Sequence, residues 1–427
     1  MLLSLLLALL WTLACPRVAG AAAPDGAARS GVEDDGPAGA PAAESELPEA
    51  ERASAQDIDP PGAAFFAAPL VTFDSVYKLG GGAFGQIVFA DPSGVEPFKA
   101  SFAGQLYGTT GGFQAHYINY DLPAFAGSRL RLSGMFRRVV WTRAPYFGLG
   151  GDTPRRRPDG PEDRWHQFDQ RRWRVAFNVR RRVATSSWEL YAGPALISET
   201  ITPYPDSMLL LERPQGVGGG NMVWGQVGAF YDTRTNEIDP WDGVTVDLAL
   251  RTSGPWTLSD WRASGGFAAI SGWRAVHPRV VLAGRVLVDG VFGQPPFFTR
   301  AYLGGLRTTI VGGLYLLRGL PPERYRGDAI AAGQGELRLR VADARILRGR
   351  VGLGFMLVPF VDAAKVAMWS QESELLLPHV TGGGGLRVNV NDLLILRADC
   401  GVGLERYVGE PGGEPLLQFY ILADHPF

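Results

Sequence analysis

From about residue 67 to the end, apolar and polar positions alternate with a period of two. In 174–183, Val175, Phe177, Val179 and Val183 share one face, and Arg174, Asn178, Arg180 and Arg182 share the other. Leu337, Leu339 and Val341 oppose Glu336, Arg338 and Arg340. Leu386, Val388 and Val390 oppose Arg387, Asn389 and Asn391. In 394–405, Leu394, Leu396, Ala398, Cys400, Val402 and Leu404 oppose Arg397, Asp399 and Glu405. Such a period predicts β-strands, because successive side chains of a strand point to opposite faces. Gly, Pro, Asn and Asp clusters cut the strands apart, and helical periodicity is scarce.

Two architectures alternate in this way. A soluble sandwich turns its apolar face inward, whereas a membrane barrel turns it to lipid and its polar face to the lumen. Several segments reach about 10 residues, the length of a tilted membrane strand; soluble strands average about 5–6. Aromatics near strand ends, among them Tyr117, Trp141, Tyr146, Tyr191, Trp273 and Trp369, suit the girdles of a barrel. The expectation is an all-β, transmembrane antiparallel β-barrel of about 16 strands over 67–427. The chain closes on "LLQFYILADHPF", and the terminal Phe427 reads as the assembly signal of a last membrane strand.

The N-terminus reads differently. Residues 1–14, MLLSLLLALLWTLA, are apolar but shorter than the roughly 20 residues of a spanning helix. Small residues follow at Ala19, Gly20, Ala21 and Ala22, so 1–22 reads as a secretory signal, with Cys15 in a poor lipidation context. Residues 23–66 read as a disordered acidic Ala/Pro-rich tether, with ten acids against Arg29 and Arg52 between 24 and 62. The whole chain is only −2, so the remainder is close to balanced and no nucleic acid is expected as a partner. The two cysteines, Cys15 and Cys400, supply no disulfide framework.

Catalytic and metal signatures are missing. None of His116, His166, His277, His379 and His425 lies in a Gly-x-Ser-x-Gly elbow or a His-Glu-x-x-His helix. No His/Cys spacing suits zinc. The glycine runs at 80–85 and 382–385 lack the strand–helix setting of a phosphate loop. The chain is expected to use no cofactor and no metal and to be no enzyme; a passive porin-like barrel or a rim-site hydrolase are the alternatives.

Four stretches resemble the outer-membrane insertase superfamily typified by BamA and TamA, the bacterial surface-antigen barrels. The first is the Arg-Gly loop "LRGLPPERYRGD", with Leu317, Arg318, Gly319 and Leu320, then Arg326, Gly327 and Asp328. Leu320 stands where that family usually has an aromatic. The second is the strand end "YDTRTNEIDPWDG" with Asp232, Thr233 and Arg234. The others are "YFGLGGDT" at 146–153 and "FVDAAKV" at 360–366, the latter carrying Phe360 and Asp362.

The resemblance implies that the loop folds from outside into the lumen and that Arg318 meets Asp362 on the barrel wall. The residues agree. Phe360 and Asp362 share parity with Gly352 and Gly354, small enough for a loop to lie against. Leu353, Phe355, Leu357 and Val361 take the lipid-type face. Pro321 and Pro322 would stiffen the loop tip. The resemblance further implies a role in outer-membrane protein or lipid assembly or transport, in a Gram-negative bacterium. The implied partners are the lipid bilayer and a separate periplasmic partner or client polypeptide. The short acidic segment has no room for the family's periplasmic POTRA modules, so the expectation is a barrel without them.

Overall fold

The computed structural model describes residues 63–74, 78–89, 98–125, 128–153, 164–306, 311–313, 315–346, 351–371, 378–391, 394–404, 415–423 and 426–427. The expected signal segment, the expected tether up to residue 62 and Glu405 lie outside the described residues. The sixteen strands form one antiparallel sheet in chain order. The first half comprises β1 (Ala63–Asp74), β2 (Lys78–Phe89), β3 (Ala100–Thr109), β4 (Phe113–Leu122), β5 (Leu130–Pro145), β6 (Gln167–Arg182), β7 (Trp188–Pro203) and β8 (Gly219–Asp232). The second comprises β9 (Gly243–Ser253), β10 (Ala263–His277), β11 (Val280–Gly293), β12 (Ala329–Ile346), β13 (Val351–Ala367), β14 (His379–Val390), β15 (Leu394–Leu404) and β16 (Pro415–Ala423). Ladders join each strand to the next; among the described residues none joins β1 to β16, although the two edges come near one another. β1 begins at Ala63, so residues 63–66 belong to the sheet and not to the tether.

Charge and apolarity are turned inside out. Arg318, Arg387 and Arg397 are almost wholly buried, while Leu250 is 68% exposed and Leu106 66%. Strand parity explains this. In β13, Phe360, Asp362 and Ala364 point in, and Leu357 points out. A soluble protein rarely exposes so continuous an apolar surface; a barrel in lipid must. No helix among the described residues is long and apolar enough to cross a membrane. Longer connections gather at one end of the sheet, including 146–166, 204–218 and 294–328, which we call the loop end. The opposite end carries mostly short turns, the asymmetry usual for outer-membrane barrels.

Two expectations need correction. Trp141, Tyr146, Tyr191 and Trp273 are not girdle residues: each is buried on the lumenal side. Trp141 of β5 keeps the inward parity of Val139, and a register shift follows it, between Trp141 and Ala144. Trp369 does remain exposed, and Trp188 and Trp256 are exposed as well. Phe427, in turn, does not end a strand. β16 stops at Ala423, and the Phe427 ring packs 6.3 Å from that of Trp273 on β10.

Cys400 shares the outward face of β15 with Ala398 and Val402, while Arg397 and Asp399 point inward. A membrane-impermeant thiol reagent is therefore expected to label Cys400 slowly and incompletely in lipid-embedded barrels. Rapid complete labelling would reverse the in/out assignment of β15.

Candidate functional site

The connection between β11 and β12 runs back into the lumen. Its Arg318 is held by two wall carboxylates at once. Nε donates to Asp362 Oδ2 at 2.9 Å and Nη2 to Asp362 Oδ1 at 2.7 Å, a bidentate fork. The Arg318 backbone N–H also donates to Asp362 Oδ2 at 3.0 Å. Nη1 reaches Glu336 of β12 at 2.6 Å, and Asp399 of β15 lies 3.7 Å away. The guanidinium sits 3.7 Å over the Phe360 ring. Burial alone would lower the Arg318 pKa, but Asp362 and Glu336 outweigh it and hold the group above its ordinary value.

The same carboxylates serve wall arginines. Arg338 donates to Glu336 at 3.1 Å, Arg397 donates to Asp399 at 3.0 Å, and Arg387 bridges Asp399 and Glu336. Four strands and one loop thus share a network in which every named side chain is almost fully buried. Such charges persist in a lumen only when each finds a partner.

The loop needs a close approach to the wall. Gly319 has φ +118°, and a Cβ there would lie 2.7 Å from the Val402 carbonyl carbon. Both the conformation and the space therefore demand glycine. On β15, a Cβ at Gly401 would lie 2.6 Å from the Arg318 carbonyl oxygen, and one at Gly403 would press on Leu320. These glycines receive the loop; Gly352 and Gly354, expected to do so, lie elsewhere, Gly354 against Arg340. Leu320 is fully buried, clustered with Leu316, Leu317 and Tyr325, and its carbonyl accepts a bond from the Tyr420 hydroxyl of β16 at 2.9 Å.

The far end of the loop grips the other wall. Glu323 pairs with Arg172 of β6, which also pairs with Glu199 of β7, and Glu323 accepts from Arg326 at 2.7 Å. Burial works against the Glu323 charge, yet Arg172 and Arg326 hold its carboxyl below the usual range. Arg326 also donates to the Pro145 carbonyl at 3.1 Å. Gly327 N–H donates to the Arg300 carbonyl at 3.1 Å. Asp328 pairs with Arg300 and accepts from the Trp369 backbone N–H at 3.3 Å as the chain enters β12.

The stretch 146–153 joins the same assembly. Gly150 donates to the Arg326 carbonyl at 2.7 Å, and Arg324 donates to Thr153 Oγ1 at 2.9 Å while covering the Phe147 ring. Tyr325 stacks on His379, and its hydroxyl lies 2.9 Å from Nδ1; Nε2 faces the Gly151 carbonyl at 2.8 Å. A carbonyl only accepts, so the neutral ring carries its proton on Nε2.

Asp232, Thr233 and Arg234 lie at the opposite end of the barrel, where β8 ends at Asp232 and the β8–β9 turn begins. Arg234 forks onto Asp232 at 2.6–3.2 Å, and Thr233 Oγ1 donates to Val244. The rest of this turn folds across the lumen. Glu237 meets Arg131 of β5 at 2.8 Å, Ile238 packs on Met356, Val358 and Ile395, and Asp239 accepts from Asn389 of β14 at 2.8 Å. Neither this second plug nor the Glu323–Arg172 anchor was read from the sequence. An isoleucine inside a polar turn was the available signal for the former.

The fold and its interior define a β-barrel of the outer-membrane type, occupied by its own connections. No family model matches the sequence, and no curated protein does. Among solved structures the chain is similar to BamA of Haemophilus ducreyi lacking POTRA domains 1–3, with a TM-score of 0.51 and 12% identity over 85% of this chain and 70% of that one. It is similar to CdiB of Escherichia coli with a TM-score of 0.53 and 12% identity, covering 86% of this chain and 63% of that one. These likenesses concern the fold.

Two outcomes follow. Arg318→Ala and Asp362→Ala should each cost about 3–5 kcal/mol of barrel stability, since either removes the bidentate fork and unbalances a buried charge network. An exposed pair would cost only about 0–1 kcal/mol. The double variant should be little worse than either single one, and Arg318→Lys should rescue poorly. Denaturant unfolding of the four proteins reads this; additive losses would mean that the residues do not interact.

The turn plug should loosen in acid. Burial disfavours the Glu237 charge, but Arg131, with Arg234 and Arg180, brings its pKa down to about 2 from 4.5. The folded value is depressed, so the contribution is complete above pH 4.5 and is lost as pH falls toward 2. Protease cleavage within 233–242 should rise across that window, and Glu237→Gln should be cleaved alike at all these pH values.

Proposed function

We propose that this chain is an outer-membrane barrel of the insertase and translocator type, moving or inserting a polypeptide or lipid at the outer membrane of a Gram-negative bacterium. The observation that carries the reading is the Arg318 network, which fastens a lumenal loop to β12, β13 and β15 while Leu320 meets β16. The loop therefore braces the strands beside the β1–β16 edge, where the described residues share no ladder. An edge lacking backbone pairing is a template for an incoming strand. In this reading the loop end faces outside, the turn end faces the periplasm, and a separate periplasmic partner delivers the client. The similarity to BamA and CdiB barrels supports it at the level of fold.

Reconstitution of the full chain in liposomes tests the proposal. Insertion of an unfolded client barrel should run faster than into protein-free liposomes, and Arg318→Ala should slow it. Insertion no faster than in empty liposomes would sink the proposal; steady ion conductance would then identify a passive barrel, and fatty-acid release a rim hydrolase.

A further inference from the structure

Between the two plugs the lumenal wall carries a charge arrangement that the Arg318 network does not absorb. Arg137 of β5 and Arg174 of β6 are direct partners in the antiparallel ladder. Both fall on the lumenal face, Arg174 in line with Arg172 and Arg137 in line with Val139 and Trp141. Like charges placed directly opposite each other repel and destabilise a ladder. Here the repulsion is uncompensated within the chain. Among the described residues neither guanidinium forms an ion pair, Arg174 is only 7% exposed, and Arg137 Nε is buried without a hydrogen-bond partner.

The nearby carboxylates are already engaged. Glu199 and Glu323 are held by Arg172, and Glu323 also by Arg326. Arg172 and Arg326 thus take up both carboxylates, and Arg137 and Arg174 remain as a local excess of positive charge. Arg174 is not free to swing away, for its guanidinium lies 4.4 Å over the Tyr302 ring. Tyr302 is itself fixed, donating to Glu323 at 3.0 Å. Beside the pair, β4 places Tyr117 opposite Arg137 and Asn119 opposite Met135. Both are half-buried on the lumenal face, where a hydroxyl and an amide can reach a ligand.

We propose that Arg137 and Arg174 form an oxyanion site in the lumen that takes a phosphate group. Two guanidinium forks on adjacent strands offer paired N–H donors to a compact dianion, the arrangement at which arginine is strongest. The occupant supplies the negative charge that the ladder lacks, so binding and barrel stability are linked. The phosphate group belongs either to a small soluble anion that enters the lumen or to a lipid headgroup that reaches it. The site is independent of the insertase reading, since nothing in it touches Arg318.

The test uses the folded full-length chain in phosphatidylcholine vesicles, with the midpoint of heat-modifiable gel mobility as readout. Inorganic phosphate should raise the midpoint above that in chloride at equal ionic strength and pH. Arg137→Gln and Arg174→Gln should each be as stable as the parent in chloride, or more so, and should lose the phosphate response; Arg174→Lys should keep most of it. A second arm replaces soluble phosphate by phosphatidic acid in the vesicles; a rise there alone identifies the headgroup as the source. Should a Gln variant fail to fold, phosphorus NMR of inorganic phosphate decides, its line broadening with the parent barrel and less with Arg137→Lys. The absence of any response to either phosphate source overturns the site, as does a response that survives in Arg137→Gln. A Gln variant that folds but loses stability in chloride also overturns it, because the arginine would then be structural.

Discussion

Arg318 is the constraint on which the rest of the lumen depends. A guanidinium with no exposed surface must be met by carboxylates in good geometry, or burying it costs several kcal/mol. Asp362 supplies the fork, Glu336 the remaining N–H partner, and Phe360 a face for the cation. Those carboxylates would themselves be too negative, and Arg338, Arg387 and Arg397 balance them. Once the charges are fixed, the backbone follows: Gly319 takes a conformation closed to other residues, and Gly401 and Gly403 clear the wall.

The second anchor turns a tethered loop into a strut. Glu323 engages Arg172 of β6, which also holds Glu199 of β7, whereas Arg318 engages β12, β13 and β15. A segment held at both ends couples the walls, so a movement of one strand group is felt by the other. The β8–β9 turn does the same nearer the opposite mouth, linking β5 to β13, β14 and β15. The apolar exterior meets lipid, and the interior is filled by the chain's own polar connections. A displacement of the strands beside the β1–β16 edge would therefore disturb charged contacts inside, since those contacts set how the neighbouring strands lie.

The parts of this picture that are legible in the sequence are those governed by short-range rules. A period of two gives the strands and their lipid faces, and the same parity places Asp362 and Phe360 inward. The Arg-Gly loop was readable by its likeness to a known family. What escaped reading depends on long-range closure. Glu323 and Arg172 are 151 positions apart, and no local pattern pairs them. Trp141 of β5 was misplaced because its position near a strand end was read without its parity, which it shares with inward-facing Val139. Phe427 looked like the end of a membrane strand, yet its ring sits against Trp273 and under Arg338. The β8–β9 turn looked like an ordinary polar turn, and only the curvature of the sheet brings Arg131 and Asn389 within its reach.

The most direct measurement is amide hydrogen exchange of the folded barrel in lipid, followed by mass spectrometry over residues 315–328. A segment clamped at Arg318 and Glu323 should exchange as slowly as the strands β12 and β13, and Asp362→Asn should release the Arg318 half while leaving the Glu323 half protected. Exchange as fast as an exposed loop in the parent protein would contradict the account at its centre.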